Sequence, residues 1–209
     1  MAPFGPEFQA AMATVVAFVR RSARGRARPL VVALDGRSGS GKSTLAAAVG
    51  REIAGTVVKT DDFFSGGPNA EWAARSTEAK VRDVTDWQRL RTEALEPLLA
   101  GRAATYHPAN FETDIGLALH TVTLQPARFI VLDGTYTAHS ALADVSVLVE
   151  VDDALRRRRL VEREGSSYTT AWHATWDDAE DYYFARLAPR ESFDVVVRTD
   201  ERTAPASRA

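Results

Sequence analysis

The sequence predicts an α/β fold, a mostly parallel sheet with helices on both faces, from three observations. Short apolar runs rich in β-branched residues alternate with stretches of helical spacing. A glycine-rich loop joins the first of these runs to a helix, and the next two runs along the main sheet end in acidic residues. The order strand, loop, helix, strand, helix, insertion and then three more strands leaves parallel crossovers as the simplest connection.

In chain order, residues 7–22 carry Phe8, Met12, Val15, Val16 and Val19 at helical spacing, which predicts an amphipathic helix packed on the sheet. Arg20, Arg21, Arg24, Arg26 and Arg28 follow as a basic run. With no aromatics interleaved in so short a connection, it reads as a solvated linker rather than a nucleic-acid patch. Residues 30–34, between Pro29 and Asp35, are a buried strand, and the helix from Leu45 ends near Gly55. Residues 56–60 form a second strand running into Asp61-Asp62-Phe63-Phe64. Residues 65–84 have no clear period and a turn at Gly66-Gly67-Pro68, and are expected to form a mobile substrate loop. Residues 86–99 are a helix with Trp87, Leu90, Ala94, Leu95 and Leu98 on one stripe, Pro97 marking a kink or an early end. Residues 103–107 and 117–124 pair as a hairpin insertion outside the main sheet. Residues 128–132, 145–151 and 195–197 complete the strands, with an arginine-rich helix over 153–164 and another over 170–187 before the last. The tail from Thr199 has no apolar pattern and is expected to fray. No repeat or linker divides the chain, so residues 1–209 are expected to form one domain.

Gly36-Arg37-Ser38-Gly39-Ser40-Gly41-Lys42-Ser43-Thr44 fits the phosphate-binding pattern G-x-x-x-x-G-K-[ST] at every fixed position, between a strand and a helix as that pattern requires. Its glycines let successive N–H groups turn toward phosphate oxygens, and the helix N-terminus adds partial positive charge. Lys42 is then placed for the β- and γ-phosphates and the Ser43 hydroxyl for Mg²⁺, with Asp133, closing the strand 128–132, as the Mg²⁺-side carboxylate. Asp61 and Asp62 lie at a strand end beside the loop, where ligands of open α/β sheets bind; a turn or capping aspartate is the other role open to them. Strand alternation sends their side chains to opposite faces. Arg156, Arg159 and Arg163 fall on one helical face at i, i+3 and i+7. Such a row can close as a lid over a phosphoryl group, or pair on the surface with Asp152, Asp153, Glu162 and Glu164.

Apolar content of 45% supports a sizeable core, and a net charge of −2 gives no global pull toward nucleic acid or anionic membranes. The absence of cysteine excludes disulfides, thiolate metal sites and a thiol nucleophile. No apolar run approaches the ~20 residues of a membrane span. The apolar segment 10–19 follows Glu7 and precedes Arg20-Arg21, the wrong order for a signal peptide. The expectation is a soluble cytoplasmic protein without nucleic-acid or membrane partners, with homo-oligomerisation left open. No N-K-x-D guanine-reading motif is present, which argues against a GTP switch.

From about Leu30 to Val197 the chain resembles the uridine kinase-like P-loop kinases, small bacterial members especially. The resemblance rests on D-G-R-S-G-S-G-K-S-T at the first strand and Asp61-Asp62-Phe63-Phe64, similar to the family's D-x-F-Y. It continues in Asp86-Trp87 opening a helix, Tyr106 in a hairpin, Asp133-Gly134 for the family's E-G, and R-x-x-R-x-x-x-R-[DE]-G over 156–165. It implies a P-loop kinase fold, a five-stranded parallel sheet of order 2-3-1-4-5 with a small β-hairpin insertion. It further implies ATP, Mg²⁺ and transfer of the γ-phosphoryl group to a hydroxyl of a nucleoside-like or other small metabolite. By position, Asp61 corresponds to the catalytic base, Lys42 to the phosphate clamp, Ser43 and Asp133 to the magnesium side, and Arg159 and Arg163 to the lid cations, with Arg156 beside them on the ATP. Asp86 corresponds to a carboxylate that holds sugar hydroxyls, and Asp62, Phe64, Tyr106, His107 and Phe111 fall in the acceptor region. Phe64 replaces an expected tyrosine and Phe111 an expected histidine, both base-contacting positions, so poor discrimination of uridine is expected.

Overall fold

The computed structural model of the chain describes residues 4–111, 116–165 and 170–200. Helix α1 (Pro6–Ser22) is followed by the central strand β1 (Leu30–Asp35), whose six residues are all buried. Then come α2 (Lys42–Glu52), β2 (Thr56–Lys59), a 3₁₀ turn (Thr60–Phe63) and the short helices α3 (Asn69–Ala74) and α4 (Thr77–Asp83). Next are α5 (Trp87–Arg89), a π-helical segment (Leu90–Leu95), α6 (Glu96–Leu99) and the hairpin strands β3 (Ala104–Tyr106) and β4 (Val122–Leu124). The chain continues through β5 (Phe129–Asp133), β6 (Val145–Glu150), α7 (Asp153–Glu164), α8 (Thr170–Tyr182), a second π segment (Tyr183–Leu187) and β7 (Val195–Arg198).

The main sheet runs β2-β5-β1-β6-β7 with every pairing parallel. Counted along the main sheet alone this is the order 2-3-1-4-5. Alternation along β1 divides the core. Val32 and Leu34 face α1 and α2, meeting Val15, Val19, Leu45 and Val49, whereas Val31 faces Leu90, Leu95 and Leu98 beyond Ile130 and Leu132. Fully burying each such aliphatic side chain is worth about 1.5–3 kcal/mol. A third cluster around Leu148, Ala179, Tyr183 and Phe193 seats α8 on the same molecule's edge. β3 and β4 pair only with each other, as an insertion.

Three expectations change. The stretch 65–84 is not structureless: α3 and α4 occupy most of it, and Trp72 is buried to 1%. Helices of six and seven residues make too few turns to print a period, although Ser76 is a legible N-cap, accepting from Ala79 N at 3.2 Å. Within 86–99, Pro97 does not end the helix. It follows a π segment, because its missing N–H and the clash of its ring with the preceding turn are relieved by wider winding. The basic run is tied to the fold rather than free: Arg20 pairs with Glu52 at 3.3 Å, and Arg26 and Arg28 both pair with Asp144. Among the described residues, no helix is long and apolar enough to cross a membrane. Of the tail expected to fray from Thr199, residues 201–209 lie outside the described residues, and Thr199 itself does not fray; it is 2% exposed.

Candidate active site

The loop 36–44 is braced from several elements. Gly41, the N-cap of α2, is left-handed at φ 87°, a conformation that turns the chain into the helix and that glycine adopts without strain. Beneath it, the buried Asp35 carboxylate accepts from Gly36 N (2.7 Å), Tyr136 N (3.1 Å), Ala138 N (3.0 Å) and the Tyr183 hydroxyl (2.7 Å). Burial pushes this carboxyl up, and those donors oppose it. One carboxylate thus fixes the start of the loop and the turn after β5 together.

The other end of the loop is held by α7, α8 and β7. Glu180 Oε1 accepts from Ser38 N (3.0 Å) and the Ser38 hydroxyl (2.7 Å). Arg156 is 2% exposed, donates to the Ser38 carbonyl at 3.3 Å and pairs with Asp153 (2.9 Å) and Asp177 (3.0 Å). Arg159 donates to the Ser40 carbonyl (3.3 Å) and to the Thr199 carbonyl (2.5 Å), and the Thr199 hydroxyl also donates to the Ser40 carbonyl. Arg37 pairs with Asp181.

Lys42 Nζ lies 3.4 Å from the Arg37 carbonyl, over the loop, and its charge reaches both Asp35 and Asp133. The Ser43 hydroxyl donates to Asp133 Oδ1 at 3.1 Å. Asp133 is 5% exposed, and burial pushes its carboxyl up to about 6, with Lys42 and the Ser43 hydroxyl opposing. A carboxylate so poorly solvated gains from a cation. One carboxylate and one hydroxyl suit Mg²⁺, which takes few protein ligands and fills the remainder with water and phosphate oxygens.

Asp61 and Asp62 diverge. Asp61 is exposed and lines a cavity of about 330 Å³. Asp62 turns away and accepts from the Tyr106 hydroxyl at 2.9 Å, while its backbone carbonyl accepts from Arg89 (2.8 Å) and Ala109 N (2.7 Å). Burial pushes the Asp62 carboxyl up and the Tyr106 hydroxyl likewise, the neighbouring Asp62 charge adding to the latter. The cavity brings Asp61 together with Ser38, Phe64, Phe111 and Arg163, and Phe64 stacks on Phe111 with centroids 5.6 Å apart and planes at 12°.

The structure does not bring Asp86, Tyr106 or His107 into that cavity's lining. Asp86 caps α5, accepting from Arg89 N at 2.9 Å; Tyr106 packs on Phe63 at 4.7 Å; His107 Nδ1 meets the carbonyls of Ala118 (2.9 Å) and His120 (3.0 Å) across the hairpin. The arginine row also disperses. Arg163 reaches the cavity and pairs with Glu164 at 2.8 Å, Arg159 lies at the Thr199 side, and Arg156 is consumed in bracing the loop. A larger cavity, about 510 Å³, opens between the end of β6, the start of α7 and Phe184, but Lys42, Ser43, Asp61 and Asp133 are not among its walls. Sequence reasoning missed Asp35, Glu180, Tyr183 and Thr199. Asp35 alone carried a signal, as the residue immediately before the phosphate loop.

A family model described as "AAA domain" matches residues 31–187, three quarters of the chain and all of the loop, lid and strand-end carboxylates above. The chain belongs to the AAA domain family. This AAA domain also superposes on solved kinases. Against a possible uridine kinase from Bacillus stearothermophilus the TM-score is 0.63 at 22% identity, covering 91% of this chain and 99% of that one. Against D-glycerate 3-kinase from Cryptococcus neoformans it is 0.60 at 12% identity, covering 93% and 96%. No curated protein matches the sequence significantly. The AAA domain described here therefore has the P-loop kinase fold, a nucleotide-binding fold, with the strand order and hairpin that the resemblance implied.

Proposed function

We propose that the protein is an ATP- and Mg²⁺-dependent kinase that transfers the γ-phosphoryl group to a hydroxyl of a small metabolite. The observation that carries this reading is the juxtaposition, at one loop, of Lys42, the Ser43–Asp133 pair at 3.1 Å and the exposed Asp61 lining a cavity of about 330 Å³. Lys42 holds the β- and γ-phosphates against the loop's N–H groups. Ser43 and Asp133 would hold the metal, which would supply positive charge against the phosphates of the nucleotide. Asp61 takes the proton of the acceptor hydroxyl as its oxygen bonds to the γ-phosphorus, the bond to the β-phosphate oxygen breaks, and ADP leaves. Arg163, from the cavity wall, and Arg159 stabilise the charge spread over the transferring group.

The neighbours include a possible uridine kinase and a glycerate kinase, and the cavity favours an acceptor other than uridine. Phe64 and Phe111 face each other with no polar atom to read a base edge. Coupled ADP release by purified protein, with MgATP and a panel of nucleosides, sugars and other hydroxylated metabolites, tests the proposal. Acceptor-dependent release that stops on chelation of Mg²⁺ is expected, with uridine giving kcat/KM below about 10⁴ M⁻¹s⁻¹. No acceptor-dependent release from any hydroxylated compound would contradict it.

A further inference from the structure

Resting on the kinase reading above, we propose that the acceptor is an amino alcohol, its protonated nitrogen held by Glu180 and the aromatic wall of the acceptor cavity. Glu180 sits on α8, lines this cavity and is 2% exposed. Its Oε1 is used twice, by the amide and hydroxyl of Ser38. Its Oε2, equally buried, has no hydrogen-bond partner among the described residues, and neither has Trp176 Nε1, one turn earlier on the same helix and in the same wall. A buried carboxylate oxygen without a donor bears an uncompensated loss of hydration, so it marks where a donor from a ligand belongs.

The charge balance of the wall selects the kind of donor. Its carboxylates are Asp61, Glu164, Asp177 and Glu180. Glu164 is matched by Arg163 (2.8 Å) and His173 (2.7 Å), and Asp177 by Arg156 (3.0 Å). Among the described residues, Asp61 and Glu180 have no ion-pair partner at contact distance; the Arg156 charge reaches Glu180, but that one cation is already paired with both Asp153 and Asp177. Asp61 has the acceptor's hydroxyl proton to take, which leaves Glu180 for a second group. A neutral hydroxyl would fill one lone pair and leave the charge; an ammonium supplies charge and several donors at once. Trp172 and Trp176 stand edge-to-face with centroids 5.3 Å apart, and Trp176 continues to Trp72 at 5.4 Å and on to Phe64. Such faces attract a cation. The indole N–H of Trp176 in turn requires an acceptor, which an alcohol oxygen near the ammonium provides.

The test is binding of amines paired with neutral counterparts, glucosamine against glucose and N-acetylglucosamine, and serinol against glycerol, by calorimetric titration of the full chain with MgADP present. Each compound is also run for ADP release from MgATP. At least one amine is expected to bind 10-fold or more tightly than its neutral partner. Glu180→Gln, which keeps an oxygen for Ser38 N–H, should remove that preference, read as the ratio of amine to neutral affinity measured within the same variant. Trp176→Phe should weaken the amine several-fold while circular dichroism stays unchanged. Equal binding of amine and neutral partner, no binding of any amine, or a preference that survives Glu180→Gln would overturn the proposal. Amine binding that depends on Glu180 without ADP release from any compound would uphold the amine site and refute the kinase reading. ADP release with neutral acceptors alone would do the reverse.

Discussion

Two adjacent aspartates should fail in opposite ways when each is changed to asparagine. Asp61 is exposed to the cavity, and no side-chain hydrogen bond holds it among the described residues. Asp61→Asn should therefore leave the melting temperature within about 1 °C. Because the amide cannot take a proton from the acceptor hydroxyl, kcat should fall ~10²–10⁴-fold, or about 2.7–5.4 kcal/mol of barrier, with the KM for ATP little changed. Asp62 instead anchors the Tyr106 hydroxyl at 2.9 Å within the half-buried hairpin contact. Asparagine keeps an oxygen for that hydroxyl but loses its charge, so Asp62→Asn should cost about 1 kcal/mol and lower the melting temperature by about 2–4 °C. Its kcat should stay within ~10-fold. Single-turnover phosphoryl transfer and thermal unfolding, run on both variants, read the two effects separately. If Asp62→Asn were the slower enzyme and Asp61→Asn the less stable protein, the assignment of the base and the register of the 3₁₀ turn would both be wrong.

Two further outcomes test the frame around the site. Gly134→Ala should lower stability by about 1–3 kcal/mol, since a Cβ there would overlap the buried Thr60 side chain; a thermal midpoint equal to wild type would show the turn after β5 to be looser than described. Asp144 is 11% exposed at its side chain; burial would raise its carboxyl, but the Val31 amide and the Arg28 and Arg26 guanidiniums outweigh this and hold it below the usual carboxylate range. A lowered folded pKa gives stability that is present above the unfolded value of about 3.9 and lost as pH falls through the folded one. Asp144→Asn should thus cost about 1 kcal/mol at pH 7, discounted for the exposed arginines, with the deficit narrowing below about pH 4. A deficit that widened on acidification would reverse the sign assigned to this cluster.

The sheet was legible because its strands are buried on both faces and therefore read as uninterrupted β-branched runs: Val31-Val32, Ile130-Val131 and Val147-Leu148-Val149 need no tertiary information to be recognised. The phosphate loop was legible because backbone geometry restricts its residues. What escaped depends on contacts between distant positions. Glu180 reaches Ser38 across 142 residues, and Thr199 is buried by hydrogen bonds to the Ser40 carbonyl and Arg159 rather than by apolar surface. Helical spacing placed Arg156, Arg159 and Arg163 on one face correctly, but each long side chain follows its own partner: Asp153 and Asp177, the Thr199 backbone, and Glu164. Spacing fixes where such a side chain starts and says little about where its charge ends. Asp61 and Asp62 do diverge as expected, but the cause is the winding of the 3₁₀ turn Thr60–Phe63 rather than strand alternation, since β2 ends at Lys59.

The central claim, that the loop around Lys42 transfers a phosphoryl group, is tested most directly by acceptor-dependent ADP release from wild type and Lys42→Ala, with folding of both checked by circular dichroism. Lys42 lies over the loop rather than in the core, so the variant should fold as wild type does. Removing its charge should reduce the rate by ~10²-fold or more. Near-wild-type ADP release by a folded Lys42→Ala protein, with an acceptor that the wild type phosphorylates, would contradict the account.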